Sequence, residues 1–224
     1  MNTAKLTSIG LVSAFVFSAS VATAETIVFG KNGTGWATQG VADDQNKNET
    51  ATIVADGFTF NLGINFSSDN VGITPDGDLT EGGRSTWRNN GSKFTFTLSV
   101  VDNNATQDLA SLSVNSFLTN GMNQNGEQIT VSESASSNTA VIGPSGNPQT
   151  ITASQLYTTN SLTPLTLANV GTWNMIMENT GNNQITGIHS FLIDYTLTPI
   201  PEPGTYGLLA GFAALGFVMQ RRRG

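Results

Sequence analysis

An all-β fold, an antiparallel two-sheet β-sandwich with jelly-roll-like or Ig-like connections, is what these 224 residues predict, and three observations predict it. Apolar side chains recur at every second position in the two clearest segments, the period of a strand with one buried face. Asn-Gly and Asp-Gly pairs punctuate the chain at Asn32-Gly33, Asp56-Gly57, Asp76-Gly77, Asn90-Gly91, Asn120-Gly121 and Asn125-Gly126, and each pair can take the positive φ of a tight turn. Between residues 25 and 198 no stretch shows the 3.6-residue period of a helix.

In chain order, the surest strands are Phe58 to Phe66, where Phe, Phe, Leu, Ile and Phe alternate with Thr, Asn, Gly and Asn, and Phe94 to Val100, where Phe, Phe, Leu and Val alternate with Thr, Thr and Ser. Shorter β-rich runs predict strands at Thr26 to Phe29, Thr52 to Ala55, Leu109 to Val114, Gln128 to Ser132, Ala140 to Ile142, Leu165 to Leu167, Thr172 to Met177 and Ile185 to Leu197. Many short strands with frequent turns favour two packed sheets over a parallel α/β fold.

The polar residues are mostly Asn, Thr and Ser, and only 11% of the chain is charged. Between Glu25 and Glu202 there are sixteen acids against five basic residues, a balance of −11. Such a surface repels a phosphate backbone, so nucleic acid is not an expected partner. Cysteine is absent, which removes disulfides, thiolate metal sites and a thiol nucleophile together. About 175 residues are enough to bury a core without them.

Both ends differ from this body. Residues 1–24 carry Lys5, an apolar run from Ile9 to Phe17 and the small-residue stretch Ala22-Thr23-Ala24. That is the layout of a helical signal peptide cut by signal peptidase after Ala24, so that the mature chain begins at Glu25. The body then spans residues 25–198.

Residues 199–224 contain Pro201-Glu202-Pro203, an apolar stretch through Met219, and then Gln220 followed by Arg221, Arg222 and Arg223. Fourteen apolar residues from Tyr206 reach only about 21 Å as a helix, short of a hydrocarbon layer near 30 Å. The sequence therefore predicts a weak, short membrane helix, with the arginines held on the cytoplasmic side and Pro201 and Pro203 keeping the preceding segment extended. These three parts in this order resemble the PEP-CTERM sorting signal of Gram-negative bacteria that make extracellular polysaccharide. The resemblance implies a membrane-embedded exosortase-like peptidase that acts near Pro201-Glu202-Pro203, and transient residence in the inner membrane. It covers the tail alone.

Within the body, the one histidine, His189, falls on the apolar parity of the last strand, as a half-buried packing residue would. A serine hydrolase needs a base beside its nucleophile, and with no Gly-x-Ser-x-Gly segment the triad reading fails. Glycoside hydrolysis needs two carboxylates across a cleft, which keeps a secreted carbohydrate-active hydrolase or lyase as the alternative function. No catalytic residue is assigned. Asp76, Asp78 and Glu81, oxygen ligands around a glycine bend, form a candidate calcium loop that lacks the full twelve-residue pattern; a solvated turn is the plainer expectation, and no other cofactor is expected. Trp36, Trp87 and Trp173 are candidates for stacking on a sugar ring, with Arg84 and Arg88 beside Trp87, although a sandwich tryptophan is commonly core. The function expected from all this is an exported, non-enzymatic surface or extracellular-matrix protein with a structural, adhesive or glycan-associated role, for which extracellular polysaccharide is a candidate partner.

Overall fold

The computed structural model describes residues 22–82, 86–87, 91–120, 126–133, 138–143, 149–152, 155, 173–181, 187–200 and 203–222. Among them, twelve strands form two six-stranded sheets: β1 (Thr23–Gly30), β2 (Asn48–Ala55), β3 (Phe58–Phe66), β4 (Val71–Ile73), β5 (Leu79–Glu81), β6 (Lys93–Asp102), β7 (Gln107–Asn120), β8 (Ile129–Glu133), β9 (Thr139–Ile142), β10 (Gln149–Thr152), β11 (Trp173–Asn179) and β12 (Gly187–Pro199). A single helix, α1 (Pro203–Arg221), follows. The sequence expectations at residues 1–21 and Leu165 to Leu167 lie outside the described residues.

Sheet two runs β2-β3-β6-β11-β8-β9, and every pairing in it is antiparallel. Its second and third strands, β3 and β6, are the pair that the sequence marks most clearly. In β3 buried residues alternate with half-buried ones along all of Phe58–Phe66, and β6 repeats the pattern from Lys93 to Leu98. Strands β2 and β3 are joined by Asp56-Gly57, whose φ values of 50° and 78° match the two left-handed positions of the hairpin turn that the sequence predicts there.

Sheet one runs β10-β7-β12-β5-β4. Its centre is β12, which takes β7 along one edge, while the other edge is shared by β1, from Gly30↔Ser190 to Thr23↔Leu197, and by β5 at Ile188↔Leu79. The two sheets meet face to face: Phe96 of β6 lies 5.5 Å from Phe191 of β12, and Phe60 of β3 lies 5.0 Å from Tyr195, ring centre to ring centre. Phe58, Phe60, Phe66, Phe94 and Phe96 are all fully buried in one continuous core. Each large apolar side chain removed from water contributes about 1.5–3 kcal/mol, so a cysteine-free chain of this size has its stabilising force here.

Three strands were not legible. The runs VGI, LTE and QTIT of β4, β5 and β10 hold few apolar residues in alternation. Leu79, Thr80 and Glu81 are nevertheless all buried, because β5 lies between β4 and β12. The segment that carries Asp76, Asp78 and Glu81 is therefore part of a β4–β5 hairpin within sheet one. Its turn is Thr74-Pro75-Asp76-Gly77: Gly77 N–H donates to Thr74 O at 2.8 Å, and Gly77 stands at φ 86°.

Candidate functional site

The candidate calcium residues are not brought together. Asp76 is exposed at the tip of the β4–β5 turn, whereas Asp78 and Glu81 are buried. Among the described residues no group of three or more His, Asp or Glu side chains is arranged to hold a metal ion. Asp78 serves a different geometry. Its Oδ1 lies 2.6 Å from His189 Nδ1, and its own N–H donates to Thr74 Oγ1 at 3.0 Å. A carboxylate only accepts, so Nδ1 carries its proton; Nε2 meets the Asn32 side-chain amide at 3.0 Å, a group able to present either an oxygen or an NH2. Both ring nitrogens are thus partnered.

His189 is half-buried, as expected, and it stands at an irregularity of β12. The β7–β12 register slips between Ile188 and Ser190, so His189 is the extra residue of a bulge, and the buried side of β12 resumes at Phe191. The carbonyls turned out there are taken up by neighbours. Trp36 Nε1–H is shared between Ile188 O and His189 O, each at 3.2 Å, and Lys31 N–H donates to His189 O at 2.9 Å. Gly30 makes this contact possible. At φ 97°, a Cβ there would meet His189 O at 2.5 Å and the Trp36 ring at 2.6 Å.

Two of the three tryptophans are therefore core rather than a sugar platform. Trp36 is buried against the bulge. Trp87 is buried too: its Nε1–H donates to Ser92 Oγ at 2.6 Å, Asn179 donates to its carbonyl at 3.1 Å, and it stands edge-on to Phe94 at 5.1 Å. Trp173 is paired with Leu98 in β11; its side chain, with Arg84 and Arg88, lies outside the described residues.

At the opposite end of β12, Tyr195 donates a 2.6 Å hydrogen bond to Asp56 Oδ2. Burial pushes its phenol pKa up, and the Asp56 hydrogen bond and the charges of Asp56 and Glu25 push it further.

Beyond Tyr195 the chain leaves the body abruptly. Pro199 still pairs with Gln107, and Ile200 N–H donates to Thr106 O at 2.8 Å. Helix α1 then begins at Pro203 itself, which corrects the expectation that this proline stays extended: a proline has no N–H to lose in the first turn, and its fixed φ suits that position. Pro201 and Glu202 lie outside the described residues, as does Arg223, while Arg221 and Arg222 close the helix, with Arg222 N–H donating to Val218 O at 3.2 Å. Nineteen residues of helix rise about 28 Å, longer than the apolar run alone. Leu208, Leu215 and Phe217 on this helix are 60–69% exposed. Among the described residues no helix is long and apolar enough to cross a membrane. Ala22 and Ala24, where the sequence predicts the signal-peptide cut, flank Thr23, at which β1 begins; Ala24 pairs with Thr196.

No curated protein and no solved structure matches the chain. One family model does, and it falls on the segment just described: residues 199–223 match the PEP-CTERM protein-sorting motif, which implies an exported protein that is handled by an exosortase, a membrane protein, and located at the cell envelope.

Proposed function

We propose that the chain is a non-enzymatic surface or extracellular-matrix protein of a Gram-negative bacterium, with a structural or adhesive role in a polysaccharide or biofilm matrix, and that its tail exists to be removed. The observation that carries this reading is the motif match at residues 199–223, directly behind a body whose described backbone bonds run as far as Ile200. Residues 1–24 take the chain across the inner membrane and are cut off after Ala24. Helix α1 then enters the membrane transiently, with Arg221, Arg222 and Arg223 kept on the cytoplasmic side. Its first turn is polar and its apolar run is short, so it holds the chain weakly, as befits an anchor that is soon discarded.

Replacing Pro201-Glu202-Pro203 by three alanines tests this. Alanine lets the helix extend back into the cutting region and removes the Glu202 carboxylate. In a host with the sorting enzyme, this variant should still be exported but accumulate as a longer, membrane-bound form. Deleting residues 207–224 should release the body unsorted. Intact mass should show wild-type protein beginning at Glu25 and lacking the arginines; wild-type protein that retains Arg221 to Arg223 at steady state would make the tail a plain anchor and the reading wrong.

A further inference from the structure

The outer face of sheet two is built unlike the rest of the surface. Among its described residues the only charges are Lys93 and Glu178, at one end and paired at 3.0 Å. Elsewhere it presents mostly hydroxyls and amides, with the exposed valines Val54, Val101 and Val141 among them; Thr52 Oγ1 donates to Asn61 Oδ1 at 2.9 Å, Asn65 Nδ2 to Asn48 Oδ1 at 2.6 Å, and Thr97 Oγ1 to Asn174 Oδ1 at 2.5 Å. The outer face of sheet one, by contrast, has a carboxylate at its centre, Asp194, held by Thr26 and Asn115. In a chain with a formal charge of −7, a six-stranded face nearly free of carboxylates is a local feature.

Gly63 lies on that face midway along β3, the second strand from one edge, paired with Thr50 on one side and Thr97 on the other. Neither backbone nor packing demands a glycine there. Its φ is not left-handed, and an added Cβ would come no closer than 3.5 Å to Thr97 O, an ordinary contact. A strand-interior glycine without such a reason leaves a place where a ligand can approach the backbone closely. The missing side chain leaves a notch between Asn61 and Asn65, which stand about 13 Å apart along the strand. Among the described residues the Asn61 NH2 and the Thr50 hydroxyl have no hydrogen-bond partner, so the notch is rimmed by groups that both donate and accept.

From this we infer that the outer face of sheet two, centred on the Gly63 notch, is a docking surface for an uncharged polysaccharide chain. A neutral sugar chain, with hydroxyls on its edges and C–H groups on its ring faces, suits a surface of amides and hydroxyls interspersed with exposed valines. An anionic polymer gains nothing there and is repelled by the net charge, and a cationic one is drawn to the carboxylates elsewhere. The inference deepens the matrix reading above and rests on it for the source of the glycan.

The test uses the full-length chain in a zwitterionic detergent without a sugar headgroup. Its mobility is measured in native gels containing dextran, a soluble β-1,4-glucan, a soluble β-1,3-glucan or an anionic polyuronate. Retardation by at least one neutral glucan and not by the polyuronate is expected. Gly63→Gln, which fills the notch, should weaken it at least tenfold without lowering the melting temperature, and Asn61→Ala should weaken it with the strand left intact. Ser113→Gln on the opposite face should leave it unchanged. No retardation by any neutral glucan, equal retardation by polyuronate, or indifference to Gly63→Gln would overturn the inference, as would concentration-dependent dimers that Gly63→Gln abolishes, which would assign the face to a second copy. Retardation accompanied by new reducing ends would uphold the docking face and sink the non-enzymatic reading. Loss of retardation leaves the sorting reading standing, since that is read from tail processing.

Discussion

Tyr195 and Asp56 are 139 positions apart in the chain, and the 2.6 Å bond between them fastens the central strand of sheet one to the hairpin turn that opens the core of sheet two. The same tyrosine packs its ring on Phe60, so one side chain joins the sheets by both an apolar contact and a polar one.

Tyr195→Phe keeps the ring contact and deletes the bond. The expected cost is about 1 kcal/mol, a fall of about 2–4 °C in Tm for a domain of this size. The pH dependence has a definite sign. Folding raises the phenol pKa above its ordinary value of 10.0, so this contribution is fully present below pH 10.0 and is lost as the pH climbs toward the folded value. Thermal melts from pH 8 to 11 should show wild type losing stability at the alkaline end more steeply than Tyr195→Phe; parallel curves would deny the bond its role.

Asp78 and His189 should behave as a unit. The carboxylate is wholly buried and its partner nearly so, with side-chain exposures of 0% and 13%. Asp78→Asn and His189→Gln should each destabilise, and the double variant should cost less than the two singles added together, with a coupling of about 1–3 kcal/mol by denaturant unfolding. Strict additivity would mean that the pair contributes only packing.

Two glycines make opposite predictions. Gly30→Ala forces a side chain into the left-handed region and against Trp36, and should cost about 2–4 kcal/mol. Gly63→Ala meets no obstacle and relieves the entropy cost of a strand glycine, so it should stabilise by about 0.5–1 kcal/mol. Urea midpoints of the two variants, measured side by side, check both.

Millimolar calcium should leave Tm unchanged, because Asp76 is exposed while Asp78 is committed to His189. A calcium-dependent rise that Asp76→Ala abolishes would overturn this.

The parts of the fold legible in the sequence are those where one physical signal dominates. Alternation located β3 and β6 because each has one wholly apolar face, and Asp56-Gly57 announced its turn because few other pairs tolerate two positive φ values. The tail was legible for a related reason: its prolines, apolar run and arginines are segregated along the chain, so no tertiary contact is needed to see them. What stayed hidden depends on neighbours distant in sequence. Strand β5 reads as polar and is buried only because β4 and β12 flank it. The bulge at His189 interrupts the β7–β12 register without any mark in composition, and the partners of that histidine, Asp78 and Asn32, come from segments 111 and 157 residues away. The neutral face of sheet two is invisible until registry places Gly63 between Thr50 and Thr97.

The placement of β12 has a consequence for the order of events during biogenesis. The last strand of the body is the central strand of sheet one, and it zips against β1, the first, over separations of up to 174 positions, as well as against β7 and β5. Sheet one therefore cannot close while β12 is still inside the translocation channel, and such long-range pairing is intrinsically slow. A body that emerges in this order arrives outside the membrane with half of its core unfinished and its strand edges bare. If, as proposed, the tail pauses in the membrane, its helix, starting three residues beyond Ile200, would hold β12 at the membrane surface beside the partners it must find, and keep each unfinished molecule apart from its neighbours until the sheet is complete.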